Sequence, residues 1–228
     1  MICIKETKMI MEAQRRAVVT HGVAMVRTGL TTGTGGNLSC CDQNRGRIAI
    51  SPSGVPYDVL RPQDVVVVDL DGNVVDGLLK PSSEIGFHLT LYRHRSDVGG
   101  IVHTHSTYAT TLACLQREIP PVHYLVGFAG AKVPVAPYAT FGTAALARNV
   151  RQTLGAHYNA ALLANHGLVA VGTDLPKAFG TAETIEFVAR LYCQSLAIGD
   201  PVVLDDDEMK RVIAKFETYG KQDDRPQR

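Results

Sequence analysis

The stretch Val98-Gly99-Gly100-Ile101-Val102-His103-Thr104-His105 decides how this chain is read. A short apolar run opened by glycines predicts a buried strand over 98–105, and it ends on two imidazoles. Residues i and i+2 of a strand point to the same face, so His103 and His105 can reach one ion. Hiding two imidazoles in such a strand is costly unless they gain a partner. A third imidazole, His166, stands in Asn165-His166-Gly167 between apolar stretches, and the upstream turn Pro81-Ser82-Ser83-Glu84 offers a carboxylate. Three imidazoles and Glu84 form a donor set for a catalytic divalent metal, zinc in particular, with a position open for substrate. The H-x-H spacing alone is short and common, so the third histidine and the acidic turn strengthen the reading. The chain has 8 histidines. The remaining five, His21, His88, His94, His123 and His157, are read as ordinary surface or core polar residues.

Working outward, residues 8–28 carry helical periodicity, with Met9, Ala13, Ala17, Val18 and Ala24 on one stripe and Gly29 as the stop. Residues 31–37 form a small-residue loop. Strands are expected over 47–50 and 65–70, the second closed by Asp71-Gly72-Asn73. A helix should start at Pro81-Ser82-Ser83-Glu84, with serine available as N-cap, and run to Arg95. Ser106 or Thr107 is expected to cap the next helix. Further helices are predicted over 143–154, 177–198 and from 205–207 toward Tyr219, with strands over 160–163 and 168–171. The order is not a regular βαβ alternation. It points to an α/β chain with three α-β-α layers around a central, mainly antiparallel sheet. Residues 1–220 read as one domain, with 221–228 as a flexible polar tail.

Composition sets the class. The chain has 228 residues, 45% of them hydrophobic, and a formal net charge of +1. That balance gives no field for nucleic acid or a membrane surface. The 5 cysteines include the adjacent Cys40 and Cys41 and suggest no disulfide frame, which fits free thiols in a reducing cytosol. No signal-peptide core or spanning run is seen, so a cytoplasmic protein is expected.

Three small-residue turns, Gly36-Asn37, Ser53-Gly54 and Ser82-Ser83, are rich in backbone donors and hydroxyls, which suit a phosphate. Each alone reads equally as an ordinary turn. Gly33-Thr34-Gly35-Gly36 is neither a Walker loop nor a dinucleotide fingerprint. Tyr124, Phe141, Phe216 and Tyr219 read by pattern as core or interface aromatics.

Taken together, Gly33-Thr34-x-Gly36-Asn37, Ser51-Pro52-Ser53-Gly54, Pro81-Ser82-Ser83-Glu84, His103-x-His105, Ile119-Pro120-x-x-His123-Tyr124, residues 136–143 and His166-Gly167 resemble the class II aldolase and epimerase family, nearly end to end. The resemblance implies one zinc per subunit on His103, His105 and His166, with Glu84 as a fourth ligand at rest and as the catalytic acid/base. It implies phosphate binding by Asn37, Ser53, Gly54, Ser82 and Ser83, with Thr34 and Gly36 shaping the first loop. It implies a homotetramer with interfacial active sites, Tyr124 serving as acid from the neighbouring subunit, and Phe141, Phe216 and Tyr219 around the aldehyde end. The expected reaction is cleavage of a ketose 1-phosphate, foremost L-fuculose 1-phosphate, to dihydroxyacetone phosphate and L-lactaldehyde. The chain departs from the family pattern around Leu125–Lys132. Alternatives are a pentulose 5-phosphate 4-epimerase, an aldolase of a 5-deoxypentulose 1-phosphate, a methylthioribulose phosphate dehydratase, or a metal-free binding module on the same scaffold.

Overall fold

Strand after strand is apolar on both faces. Val65 and Val67 enter one hydrophobic core while Val66 and Val68 enter another, and Leu168 and Ala170 separate in the same way from Val169 and Val171. Such a sheet must be covered on both sides, which requires three layers. The computed structural model, which describes residues 9–42, 46–216 and 218, has that architecture.

The strands are β1 (Asn37–Asp42), β2 (Arg47–Ile50), β3 (Val66–Asp69), β4 (Val74–Asp76), β5 (Gly100–Thr104), β6 (Val135–Ala136), β7 (Ala160–Leu163) and β8 (Gly167–Gly172). Among the described residues they form one sheet in the order β4-β3-β2-β1-β5-β8-β7-β6. Every neighbouring pair is antiparallel except β6–β7. Helices α1 (Glu12–Arg27), α3 (Thr107–Cys114), α5 (Leu175–Ile198) and α6 (Asp206–Phe216) contribute to one core. Helices α2 (Ile85–His94) and α4 (Ala144–Leu154) contribute to the other. The expected three-layer α/β arrangement with a mainly antiparallel sheet is what the chain adopts. No described helix is long and apolar enough to cross a membrane.

Local expectations fail in instructive places. The small-residue loop ends in a strand, because Asn37 already pairs with His103 as the first residue of β1. On α1 the buried stripe is Arg15, Val18, Gly22 and Met25, while Ala13 is exposed. The stripe is displaced because its largest buried member is an arginine. Its guanidinium donates to the carbonyls of Ile10 (2.9 Å) and Val65 (2.7 Å) and pairs with Asp76, tying α1 to the β3–β4 hairpin. The expected serine caps are also absent. Glu84 occupies the N-cap position of α2 without a side-chain cap bond, and Ser82 Oγ instead accepts from the Glu84 N–H at 3.2 Å. Ser106 precedes α3 without capping it. The Glu186 carboxylate, reaching across from α5, accepts the N–H groups of Tyr108 and Ala109 at 2.8 and 2.9 Å. A carboxylate there also meets the positive end of the helix. Residues 219–228, including Tyr219 and the expected tail, lie outside the described residues.

Arg15→Met keeps the aliphatic stem but leaves buried carbonyls without donors. We expect a loss of about 3 kcal/mol in chemical denaturation, the scale of hydrogen bonds to a charged group plus orphaned acceptors. An unchanged denaturation midpoint would show that the guanidinium is not a structural tie.

Candidate metal centre and anion cleft

The centre of the sheet carries the chemistry. On β5, His103 and His105 fall on one side of the strand end, and the β7–β8 turn Ala164–His166 brings in His166 beside them. One ligand nitrogen from each of the three lies within 4.8 Å of the others. His103 Nδ1 lies 2.9 Å from the Leu168 carbonyl, so that nitrogen carries a hydrogen and Nε2 is the atom that would bind a metal. His103 Nε2 lies 3.0 Å from His105 Nε2. Gly167 allows this closeness, because a Cβ there would lie 2.3 Å from the Thr104 carbonyl oxygen.

Glu84 faces the cluster from the start of α2. Its Oε2 is 3.2 Å from His103 Nε2 and its Oε1 is 3.4 Å from His166 Nε2. Asn37 Nδ2 donates to Oε2 at 2.9 Å. Oε1 is buried without a hydrogen bond, a costly state for a carboxylate oxygen. Three convergent imidazole nitrogens and an orphaned carboxylate oxygen are the donor chemistry that a divalent cation satisfies, so the residues present fit a metal.

Burial would raise the Glu84 carboxyl, but the adjacent His103 and His166 rings and the Asn37 amide outweigh it and bring it down to about 2. Burial, then the charge of neighbouring imidazoles, lowers His105 and His166 to about 4 each. Both rings therefore stay neutral at physiological pH, the form that binds metal.

Beside the cluster opens a cleft of about 350 Å³ lined by Thr34, Gly36, Asn37, Ser53, Gly54, Ser82, Ser83, Glu84, Tyr138, Phe141, His105 and His166. The three anion turns predicted from sequence thus share one wall. A bridge between Pro52 and Pro81, with Ser53 N–H donating to the Lys80 carbonyl at 3.0 Å, zips the second turn to the third. The Tyr57 hydroxyl donates to the Gly36 carbonyl at 3.0 Å and holds the first. Gly36 has φ +69°, and a Cβ there would lie 2.5 Å from the His103 carbonyl oxygen, so only glycine lets this loop lie against β5. Among the described residues lining the cleft there is no lysine or arginine. An anion here would be met by backbone N–H groups, hydroxyls, the start of α2 and the metal.

Not every predicted residue comes to this cleft. Tyr124 and Phe216, 6.2 Å apart between ring centres, line a different, apolar cavity with Leu204 and Val212. Tyr124 is 49% exposed and is not among the residues lining the cleft of its own chain. Tyr219 lies outside the described residues. Two residues were missed. Tyr138 lines the cleft, and His88, read as an ordinary histidine, is fully buried with Nε2 2.6 Å from Asn37 Oδ1. The spacing Glu84, His88, Tyr92 on one helical stripe was the available signal.

Low pH should weaken the metal-free protein. Burial lowers His88 to about 3 from 6.5, so between those values the unfolded chain binds a proton that the folded chain refuses. Stability then rises with pH, and falls as pH drops below 6.5, by up to about 1.4 kcal/mol per pH unit for a fully buried histidine. His166 and the rim residue His105 add smaller shares of the same sign. Urea midpoints at pH 7.5, 6 and 5 should decrease in that order; a flat series would mean that these rings accept protons in the folded state.

The comparisons with known proteins agree with this geometry. Residues 16–193 match the family model of the class II aldolase and adducin N-terminal domain. The chain is 48% identical over 214 residues to 5-deoxy-D-ribulose 1-phosphate aldolase of Bacillus thuringiensis serovar kurstaki, covering 94% of this chain and 100% of that protein. It is 42% identical over 207 residues to L-fuculose phosphate aldolase of Escherichia coli, covering 90% and 94% respectively. A solved structure of an L-fuculose 1-phosphate aldolase superposes with a TM-score of 0.88 at 44% identity, covering 90% of this chain and 96% of that one. With its three-histidine cluster and its shared cleft, the chain belongs to the class II aldolase family.

Proposed function

We propose that the protein is a cytoplasmic, zinc-dependent aldehyde-lyase that reversibly cleaves a ketose 1-phosphate, foremost L-fuculose 1-phosphate, to dihydroxyacetone phosphate and L-lactaldehyde. The observation that carries this reading is one cleft in which the edge of the three-histidine cluster, an ionised buried Glu84 and the three anion turns meet. His103, His105 and His166 would hold the zinc, one per subunit, with Glu84 as a fourth ligand at rest. When bound, the cation supplies Lewis-acid polarisation of the ketose carbonyl.

The chain's own groups do the rest. Asn37, Ser53, Gly54, Ser82 and Ser83 hold the phosphate, and Thr34 and Gly36 shape the first loop beside it. This fixes C3 of the substrate near Glu84. In cleavage the C3–C4 bond breaks with its electron pair left on C3, the C4 hydroxyl gives its proton through Tyr124 to solvent, and C3 gains a proton delivered by Glu84, which takes that proton up from solvent. In condensation Glu84 takes the C3 proton, which its ionised resting form permits. Tyr124 handles the proton on the aldehyde oxygen, where negative charge develops. Because Tyr124 and Phe216 stand away from the cleft of their own chain, we assign them to the cleft of a neighbouring subunit in a homotetramer. Phe141 and Tyr219 complete the aldehyde end in this reading.

A second reading, 5-deoxy-D-ribulose 1-phosphate as substrate, is favoured by the 48% identical relative. The two substrates share the dihydroxyacetone phosphate half and differ in the aldehyde, lactaldehyde against acetaldehyde. Condensing dihydroxyacetone phosphate with each aldehyde, before and after chelation and zinc restoration, tests both readings. Activity must vanish with the metal and return with it. Full activity in metal-stripped protein would overturn the metal-dependent reading, and the aldehyde with the higher kcat/KM names the substrate.

Glu84→Gln and Tyr124→Phe should separate the two halves of the reaction. The first should lose about 10²–10⁴-fold in both proton exchange from dihydroxyacetone phosphate and cleavage while retaining metal. The second should keep exchange and lose cleavage. Parallel loss of both rates in Tyr124→Phe would remove Tyr124 from the aldehyde side.

A further inference from the structure

One buried group has no place in this chemistry. His88, on α2, is fully enclosed and stacked on Phe87 with ring centres 4.4 Å apart, and it neither lines the cleft nor hydrogen-bonds the three clustered histidines. It stands in a ladder. Glu84, His88 and Tyr92 follow one another at intervals of four along α2, a rise of about 6 Å per step. Opposite them, Asn37 and Ser39 follow at an interval of two along β1, a rise of about 6.6 Å. The near match lets the helix stripe and the strand face interleave, so the groups alternate as Glu84, Asn37, His88, Ser39, Tyr92.

The donors in this ladder have a direction. Glu84 Oε2 can only accept, so Asn37 must present Nδ2 to it, at 2.9 Å, and turn Oδ1 to His88. The flipped amide would set two acceptors against each other. Asn37 Oδ1 in turn must accept a hydrogen bond from His88 Nε2–H, at 2.6 Å. A neutral imidazole with hydrogen on Nε2 accepts at Nδ1, where Ser39 Oγ lies at 2.7 Å. The Ser39 hydroxyl hydrogen is thereby committed to His88, and Tyr92 Oη becomes the donor to Ser39, at Oγ (2.7 Å) or at the carbonyl (3.0 Å). Burial lowers His88 to about 3, which agrees with a ring carrying one hydrogen.

We propose that His88 is a positioning residue: held as its Nε2–H tautomer by Ser39, it fixes the Asn37 amide so that Glu84 receives the last hydrogen bond of a one-way chain beginning at Tyr92. The role for catalysis rests on the proposed use of Glu84 as acid/base; the tautomer and the ladder do not. When Glu84 moves a proton, Asn37 keeps its carboxylate oriented, and His88 prevents the amide from flipping to face Glu84 with its oxygen. The second Asn37 N–H remains available to the cleft, so the same amide links the phosphate wall to the proton-transfer group.

The test has two arms. Long-range ¹H–¹⁵N spectra of the metal-free, full-length protein, with the His88 signals assigned by their loss in His88→Gln, should show hydrogen on Nε2 and none on Nδ1. Hydrogen on Nδ1 would overturn the proposal. In the zinc-loaded enzyme, His88→Leu should lower kcat about 10–100-fold, the usual cost of removing a group that orients a reacting or ligating side chain, with zinc content unchanged. His88→Gln, whose amide can still donate to Asn37, should recover most of that loss. A His88→Leu enzyme within twofold of wild type, or a folded His88→Gln enzyme as slow as His88→Leu, would overturn the proposal. If His88→Leu does not fold, the spectra of the wild-type protein decide. If the wild-type protein lacks aldolase activity, the functional reading fails while the spectra still judge the ladder.

Discussion

The pairing of β1 with β5 is the constraint on which the rest of the structure depends. It sets Asn37 opposite His103 and Ser39 opposite Ile101 at the middle of the sheet. Strand register is quantised: a slip of one residue would turn Asn37 and Ser39 to the α1 side and drive Leu38 and Cys40 toward α2. With the register as it is, Leu38 packs with Val18 and Met25 in one core. Asn37 meets Glu84 and His88 on the other side. One hydrogen-bonded register therefore fixes the histidine cluster, the wall of the cleft and the orientation of Glu84 together. Gly36 belongs to the same constraint, since any side chain there would push the loop off the His103 backbone.

Much of this was legible in the chain. The periodicity of β5, β7 and β8, the span of α5 and the three turns of the cleft could be read because apolar alternation and Gly/Ser/Pro punctuation are local signals. The histidine cluster was legible because imidazoles in an apolar strand demand an explanation. What escaped is non-local. β1 reads Asn37-Leu38-Ser39-Cys40-Cys41-Asp42, with polar residues where a strand should show β-branched ones. Its polar face is satisfied by α2, more than forty residues later, as the Asn37–Glu84 bond shows. The stripe of α1 was misplaced because an arginine can be a core residue when carbonyls from distant loops surround its guanidinium. The cap of α3 was misplaced because Glu186 arrives from another helix. In each case a polar group acts as core through a partner that no local window contains.

The electrostatics of the cleft follow from how few charges it uses. A basic side chain beside the three histidines would raise the cost of placing a cation there, since two positive charges 4 Å apart repel by about 4 kcal/mol at an effective dielectric of 20. The lining instead offers hydroxyls, backbone donors and the start of α2. Such dipoles attract phosphate but oppose a metal ion far less than a lysine would. The anion turns and the imidazole cluster can therefore share a volume of about 350 Å³.

Glu84 illustrates how such a site coexists with a stable fold. Its residue is only 6% exposed and its Oε1 has no hydrogen bond, so in the metal-free chain it is a local liability. Removing it in favour of an apolar residue would relieve that strain and forfeit the proposed proton-transfer group. The surroundings offset the liability from two directions. The imidazoles of His103 and His166 face the carboxylate on one side, and the Asn37 amide donates to it on the other. The first of these partners would change on occupation of the cluster by the proposed metal or substrate. The second, anchored through His88, Ser39 and Tyr92 on packed elements, would not. In the proposed reaction the carboxylate would leave one set of partners and need another that stays, and β1 and α2 together supply it.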